Sequence, residues 1–167
     1  MNLPLEGKIR NFIFAAVLGL TLISLLIAFS IGREQDRAYR DNYDQYQQAV
    51  TMMGEQKYAQ ALQTFRGLDA DSQASYQIQY MEGFCAGQSG DYAAAAQYMQ
   101  QARETRPALL RDQSYLQRYG VILYKLGEYE RAELYLRESL KYPEDAVVTE
   151  EVHYYLAEID KNFRSRR

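Results

Sequence analysis

The sequence predicts an all-α protein in which a single N-terminal transmembrane helix precedes a solenoid of helical hairpins. An apolar run of 20 residues near the N terminus contains no charge. Further along, a Tyr followed three residues later by Ala recurs at Tyr58, Tyr92 and Tyr129. The intervals of 34 and 37 residues between these Tyr are typical of a helical repeat array. The chain of 167 residues has room for one domain of ordinary size and one appendage.

Residues 1–11 form a short polar lead, and residues 12–32 are predicted to be a transmembrane helix. The 20 uncharged residues that begin at Phe12 would span about 30 Å as a helix, which matches the hydrocarbon core of a bilayer. A buried core helix is disfavoured, because no other segment is apolar enough to enclose it. A cleaved signal peptide is the second alternative, although its apolar part is typically only about 7–15 residues long. We therefore expect residues 12–31 to contact the lipid bilayer.

The flanking charges bear on which side of the membrane the repeats occupy. Lys8 and Arg10 precede the apolar run, and Arg33, Arg37 and Arg40 follow it. Counted alone, these residues favour a cytoplasmic repeat region. However, the basic residues that follow are interleaved with acidic ones, and a very short lead is typical of an anchor whose C-terminal part is translocated. We expect a single-pass protein of a bacterial plasma membrane with its repeats on the extracytoplasmic side.

Small residues four positions apart occur twice in the apolar run, at Ala15 and Gly19 and at Ser24 and Ala28. Such pairs let transmembrane helices approach closely, so contacts with another transmembrane helix are one expectation. Such pairs are also common by chance in apolar helices. A lipid-facing anchor without specific contacts is the alternative.

The first hairpin follows the apolar run closely, and Gly32 is the only helix breaker between them. Its first helix is predicted from an amphipathic stripe of residues spaced by three or four positions. The stripe consists of Tyr39, Tyr43, Tyr46, Val50 and Met53. A break at Gly32 is therefore expected to separate the transmembrane helix from the repeats.

The repeat domain is predicted to occupy residues 33–163, and a basic tail of residues 164–167 follows it. The predicted boundaries are 35–69, 72–106 and 108–143 for the three hairpins and 149–163 for a single capping helix. Pro107 and Pro143 end the second and third hairpins, because proline interrupts the helical hydrogen bonds. Thr149 is expected to be the N-cap of the last helix, since two acidic residues follow in its first turn.

A small residue lies nine positions before each repeated Tyr, at Ala49, Gly83 and Gly120. Small residues at these positions let the two helices of a hairpin pack closely, while larger residues fill the gap to the next hairpin. Ala157 continues the series, 37 residues after Gly120. The last helix is therefore expected to be the first half of a fourth repeat that covers the end of the array.

These residues resemble the pattern of the tetratricopeptide repeat family over about residues 42–160. The second copy matches best, at Gly83, Gly90, Asp91, Tyr92, Ala95, Ala102 and Pro107. The third copy matches at Gly120, Gly127, Tyr129 and Ala132, with Ser139 in place of the expected Ala. The first copy is weaker, because Gln56 replaces the usual Gly and Leu68 the usual Ala. Three additional residues between the second and third copies are expected to lengthen a helix or a loop.

The resemblance implies that a partner peptide or helix binds in the concave groove formed by the first helix of each hairpin. The groove residues implied by the register are Tyr43, Tyr46, Val50, Gln77, Tyr80, Phe84, Ser114, Arg118, Tyr124 and Lys125. Such a groove would be aromatic with basic groups at its far end, which suits an extended or helical segment with apolar anchors. The alternative is that several of these Tyr only pack between hairpins. Family members that clamp chaperone tails need Lys and Asn where Tyr46 and Val50 stand, so that activity is not expected.

The sequence offers little for catalysis or for a cofactor. It contains no Walker loop and no dinucleotide-binding turn, and its one His and one Cys cannot form a zinc site. The segment from Asp69 to Asp71 lacks the Gly and the closing Glu of a calcium loop. A net charge of −3 provides no basic face for nucleic acid. We expect no enzymatic activity, no cofactor, no metal and no nucleic-acid partner.

Together these features predict a membrane-tethered scaffold or adaptor that binds a protein partner in its groove. Its expected role is to aid the assembly or quality control of a membrane or envelope complex. The alternative is an integral structural subunit of a larger membrane machine, which uses both the transmembrane helix and the repeats as contacts.

Overall fold

The computed structural model describes residues 4–142 and 145–163, which form helices joined by short turns, with no strand in these ranges. In chain order the helices are α1 (Pro4–Gly54), α2 (Tyr58–Arg66), α3 (Ala70–Gln73), α4 (Tyr76–Gln88), α5 (Tyr92–Thr105), a 3₁₀ helix (Pro107–Arg111), α6 (Gln113–Lys125), α7 (Tyr129–Ser139) and α8 (Ala146–Phe163). The predicted all-α fold class is confirmed. Pro143, the first three residues of the lead and the basic tail lie outside the described residues.

The chain divides into two compact units, residues 1–44 and residues 45–167. The first unit contains most of α1, which continues through Gly32, so the predicted break at this residue is wrong. A single Gly in a helix costs only about 1 kcal/mol relative to Ala, which strong helix formers on either side can offset. α1 contains a stretch that is long and apolar enough to cross a membrane, and none of this stretch is buried. By length and composition it is a candidate membrane span.

The second unit is a stack of antiparallel helix pairs, in which α4 packs on α5 and α6 on α7. The small residues lie at the closest approach within each pair. A Cβ atom at Gly83 would lie 3.1 Å from Cγ of Met99, and one at Gly120 only 2.7 Å from Cγ of Leu136. Any larger residue at these positions would push the paired helices apart.

The turns inside the hairpins require left-handed backbone at one position each. Gly90 and Gly127 supply it in the second and third hairpins, with φ of 85° and 82°. In the first hairpin the same turn is made by Gln56, with φ of 61°. A residue with a Cβ atom is strained in this conformation, so Gln56 stores a small amount of unfavourable energy.

The three additional residues between the second and third copies lie in a connection. α4 and α6 are both 13 residues long, and Pro107 keeps its expected place just after α5, so the additional residues lie between Pro107 and α6. Between α5 and α6 the chain instead forms the 3₁₀ helix, with Pro107 in its first turn. The insertion therefore changes the space between the second and third hairpins.

The last helix begins at Ala146, three residues before the predicted start. Its cap is Asp145, whose carboxylate accepts hydrogen bonds from the backbone N–H of Val147 at 2.7 Å and of Val148 at 3.4 Å. The expectation that Thr149 would be the N-cap is therefore wrong. The Thr149 hydroxyl instead accepts a hydrogen bond of 2.8 Å from Nε2 of Gln113.

α8 buries one face and exposes the other. Val152 and Ile159 are 0% and 2% exposed. In α6, Leu116 and Leu123 are buried on the side that faces α7. The corresponding residues of α8, one repeat of 37 residues later, are His153 and Asp160, and both are exposed. The side of α8 on which a further helix would pack is thus polar, as expected of a cap.

Hydrogen bonds also join the outer helices of successive hairpins. Nε of Arg66 in α2 donates to the hydroxyl of Tyr98 in α5 at 2.8 Å. The residues 37 positions later repeat the contact, since a guanidinium nitrogen of Arg103 donates to the hydroxyl of Tyr135 at 2.5 Å. Each pair links the second helix of one hairpin to the second helix of the next.

Candidate functional site

A cavity of about 440 Å³, here called the groove cavity, lies between the first helices of successive repeats. α4 contributes Phe84 and Gln88, α6 contributes Arg118 and Lys125, and α8 contributes a wall that includes Tyr155. The repeat register explains this arrangement, because every first helix presents the same side to the interior of the stack. The cavity is therefore bordered by aromatic rings and by two cationic side chains.

Both cations of the groove cavity are held against aromatic rings. Cζ of Arg118 lies 4.3 Å from the centroid of the Phe84 ring. Nζ of Lys125 lies 5.9 Å from the centroids of the Tyr124 and Tyr155 rings. Such contacts favour the cation by about 0.5–2 kcal/mol and restrict its position. Neither cation takes part in the ion pairs that the described residues form at Lys57, Arg131, Arg137 and Lys141, although the Glu151 carboxylate also lines the cavity.

Arg118 also connects α6 to the preceding hairpin through Tyr80. Its guanidinium charge acts on the Tyr80 hydroxyl. Burial raises the pKa of Tyr80, and the nearby charge of Arg118 only partly opposes this effect. The phenol therefore stays neutral at physiological pH and remains a hydrogen-bonding group in the groove.

A second cavity of about 240 Å³, here called the connection cavity, lies beside the 3₁₀ helix. Its lining includes Tyr80 and Met81 of α4, Leu109 of the 3₁₀ helix and Ser114 of α6. The guanidinium of Arg106 covers another side, where it donates a hydrogen bond to the Tyr76 hydroxyl. The three-residue insertion thus forms part of a second, less basic cavity next to the first.

The structure places the ten predicted groove residues in four kinds of environment. Phe84, Arg118 and Lys125 line the groove cavity, and Gln77, Tyr80 and Ser114 line the connection cavity. Tyr124 packs against Tyr129 and Tyr155, with ring centroids 5.6 and 5.2 Å apart, and Tyr46 packs on Phe65 at 6.2 Å. Val50 and Tyr43 are 36% and 52% exposed, and Tyr43 belongs to the first unit. Binding by these residues stays a prediction, and for Tyr46 and Tyr124 the packing alternative describes what the side chains contact.

The sequence analysis missed the wall that α8 contributes to the groove cavity. Val148, Glu151 and Tyr155 all line it. The position of Ala157 in the small-residue series already identified α8 as the first helix of a repeat, so its inner side could have been included. Gln117 and Val121 of α6 were missed as well. They lie within one helical turn of Arg118, so helical spacing was a sufficient signal.

Two buried groups lie on α4 within the described unit but line neither cavity. Burial raises the pKa of the Cys85 thiol to about 11, so the thiol is protonated and unreactive at neutral pH. Burial likewise raises the pKa of the Glu82 carboxyl to about 7, despite the nearby Gln73 side chain and the charge of Arg66. In the described part of the chain, no three His, Cys, Asp or Glu side chains are close enough to hold a metal ion.

Comparisons with known proteins identify the fold. No protein-family model matches the sequence, and no curated protein matches it either. Solved structures do match, and one is the TPR (tetratricopeptide repeat) domain of Sgt2 from Aspergillus fumigatus. It has a TM-score of 0.62 and 12% identity, and the match covers 76% of this chain and 84% of that one.

Two further structures contain a bound peptide. The type III secretion chaperone SycD of Yersinia enterocolitica, in complex with a peptide of the translocator YopD, has a TM-score of 0.60 and 17% identity over 71% of this chain and 91% of that one. The second TPR domain of human RPAP3, in complex with an HSP70 peptide, has a TM-score of 0.59 and 15% identity over 71% and 97% of the two chains. At these identities the likeness shows the fold, and the described helices have a tetratricopeptide-repeat-like architecture.

Proposed function

We propose that this chain is a membrane-tethered scaffold that binds a peptide or helix of a partner protein in its groove. Its role is to aid the assembly or quality control of a membrane or envelope complex. The groove cavity carries this proposal, because it presents aromatic rings and two cations on the inner side of the repeats. Concave surfaces with apolar walls and a few fixed polar groups are typical binding sites.

The comparisons support a protein partner. SycD and RPAP3 have the same fold as this chain and were each solved with a peptide bound. The groove cavity of this chain is also suited to a peptide, since its aromatic walls fit apolar anchor side chains. The proposal assigns binding, and no catalytic step, to the chain.

The apolar stretch of α1 supports the tether. Its side chains are largely exposed, with Phe12 and Leu26 75% and 69% accessible to solvent. An uncharged helix of this length is stable in lipid, where its backbone bonds are satisfied internally, but is costly to expose to water. We place residues 12–31 in a bacterial plasma membrane and the repeats on the extracytoplasmic side. A reporter that is active on only one side of the membrane, fused after Arg167, tests this orientation. The mass of the mature protein tests whether a signal peptide is removed.

Peptide selection on the full-length chain in lipid nanodiscs tests the groove. A phage-displayed peptide library is selected against the protein, and the affinity of each selected peptide is measured for three variants. Phe84→Ala and Tyr155→Ala should weaken binding at least tenfold, since truncation of a central aromatic anchor typically costs about 2 kcal/mol or more. The control is Leu134→Ala, an exposed apolar residue on the outer helix α7. Equal affinities for all four proteins would place binding elsewhere and refute the proposal.

Exchange of the apolar run for an unrelated apolar helix tests the role of the anchor. A scaffold that acts through its repeats should retain its partner after the exchange. A structural subunit that needs specific transmembrane contacts should dissociate from its complex, and this result would favour that second function.

A further inference from the structure

The groove cavity and the connection cavity lie along the same two helices. Tyr80 of α4 lines the connection cavity, and Gly87, seven residues later, lines the groove cavity. In α6, Ser114 lines the connection cavity, and Val121, seven residues later, lines the groove cavity. Seven residues of helix cover about 10 Å, so the cavities are about that far apart along the helix axes.

α4 and α6 run in the same direction where they border the cavities. The Tyr80 ring lies 6.2 Å from the ring of Tyr115, and the Phe84 ring lies 4.3 Å from Cζ of Arg118. The contacts advance by about one turn along both helices, which is the order expected of parallel neighbours. The line of contact between α4 and α6, here called the seam, therefore runs from one cavity to the other.

We propose that this seam recognises an α-helical segment of the partner that has an apolar side chain and an acidic side chain seven residues apart. The apolar side chain occupies the connection cavity, and the acidic side chain occupies the groove cavity. This inference rests on the proposed function, because it specifies the ligand of the same groove.

The charges assign each side chain to its cavity. In the groove cavity, the guanidinium of Arg118 lies over the Phe84 ring and has five N–H donors that can bind a carboxylate. Lys125 adds a second cation within the same cavity. In the connection cavity, the Asp112 carboxylate accepts a hydrogen bond from the backbone N–H of Tyr115 at 2.8 Å and offsets the charge of Arg106, so this cavity has no net positive charge for an acidic ligand. An uncharged, apolar side chain suits that cavity.

The distance favours a helix over a strand. Seven residues of α-helix cover about 10 Å and return the side chain to the same face. Three residues of β-strand cover about 10 Å as well, but their side chains point to opposite faces. A polyproline II segment reaches about 9 Å in three residues on one face, but it leaves its backbone groups unpaired, whereas an α-helix pairs them internally.

Fluorescence anisotropy with labelled, stapled Ala-rich helices tests the inference on the full-length chain in nanodiscs. The peptides contain one Leu and one Glu separated by four, seven or eleven residues, in both orders. Further peptides have Lys in place of Glu, or contain Leu alone. In one of the two orders, the Leu–Glu peptide with a separation of seven should bind at least tenfold more tightly than every peptide with another separation, with Lys or with Leu alone, since only this separation fits both cavities. A proline-rich peptide with a separation of three is included, and tighter binding of this peptide would overturn the proposal.

Variants of the groove cavity separate the charge contribution from general binding. Arg118→Gln and Lys125→Gln should each weaken the Leu–Glu peptide about tenfold and leave the Leu-only peptide unchanged. Glu151→Gln should instead tighten binding, because Glu151 lines the same cavity and repels an acidic ligand. Lys125→Glu should transfer the preference to the Leu–Lys peptide, which a misfolded variant would not do.

Different results would refute peptide binding in the groove and recognition of the seven-residue spacing. If Phe84→Ala abolishes binding but the charge variants and the spacing have no effect, the groove binds peptides and the seven-residue recognition is refuted. If no peptide, designed or selected, depends on Phe84 or Tyr155, the proposed function fails as well.

Discussion

Substitution of Glu82 by Gln should stabilise the protein at pH 8 and have little effect near pH 4. Glu82 is only 1% exposed, and its Oε1 atom has no hydrogen-bond partner within the described residues. Burial raises the pKa of this carboxyl from 4.5 to about 7. Between these values the folded state keeps a proton that the unfolded chain releases. The stability is therefore fully present below pH 4.5 and is lost as the pH rises through about 7.

The expected magnitude follows from the two pKa values. Each pH unit between 4.5 and about 7 removes about 1.4 kcal/mol of unfolding free energy, so the loss at pH 8 is about 3 kcal/mol. Gln has the size of Glu, but it carries no charge to desolvate. Glu82→Gln should recover most of the 3 kcal/mol at pH 8.

Urea unfolding of the full-length chain in detergent, at four pH values from 4.5 to 8, measures this difference. The matched control is Glu104→Gln, because Glu104 is exposed and accepts a hydrogen bond from Gln100 on its own helix. Its effect should stay within about 0.5 kcal/mol at every pH, as is usual for surface sites. If the difference between wild type and Glu82→Gln is the same at pH 4.5 and pH 8, the carboxyl is not desolvated and the reasoning is refuted.

Three further predictions concern the hairpins, and each is measured by chemical denaturation. Gln56→Gly should stabilise the protein by about 1 kcal/mol because it relieves the left-handed backbone, and destabilisation would show that the Gln side chain has a favourable role. Gly120→Ala should destabilise by about 1–3 kcal/mol through overpacking against α7, whereas Gly87→Ala, whose Cβ would meet Ile122 at 3.6 Å, should be neutral or stabilising. The double-mutant cycle of Arg103→Ala and Tyr135→Phe should give a coupling of about 1 kcal/mol, and additive effects would show that their hydrogen bond contributes nothing.

The elements that the sequence predicts well are those that depend on local spacing. Gly83 and Gly120 mark close helix pairs because no larger residue fits against the partner helix, and this requirement repeats with every hairpin. Gly32 misled the prediction, since one Gly weakens a helix without ending it. The start of α8 was missed because Asp145, the actual cap, is followed by Val147 and Val148 instead of the acidic residues that usually mark a first turn.

The division of the groove into two cavities could not be predicted. It depends on Arg118, which reaches from α6 to Tyr80 and Phe84 of α4, and on the 3₁₀ helix that the insertion forms. The register showed that these residues face the groove. Their contacts depend on side-chain directions and on the distance between neighbouring hairpins, which a single sequence does not contain.

The polar outer side of α8 has a consequence for how copies of the chain meet. Repeat arrays whose ends are apolar can stack head to tail, and a contact of this kind repeats without closing and produces filaments. With His153 and Asp160 exposed where α6 has Leu116 and Leu123, the described part of α8 lacks the apolar pair that packs against a following helix within a hairpin. The same helix that borders the groove cavity thus disfavours polymerisation through this end.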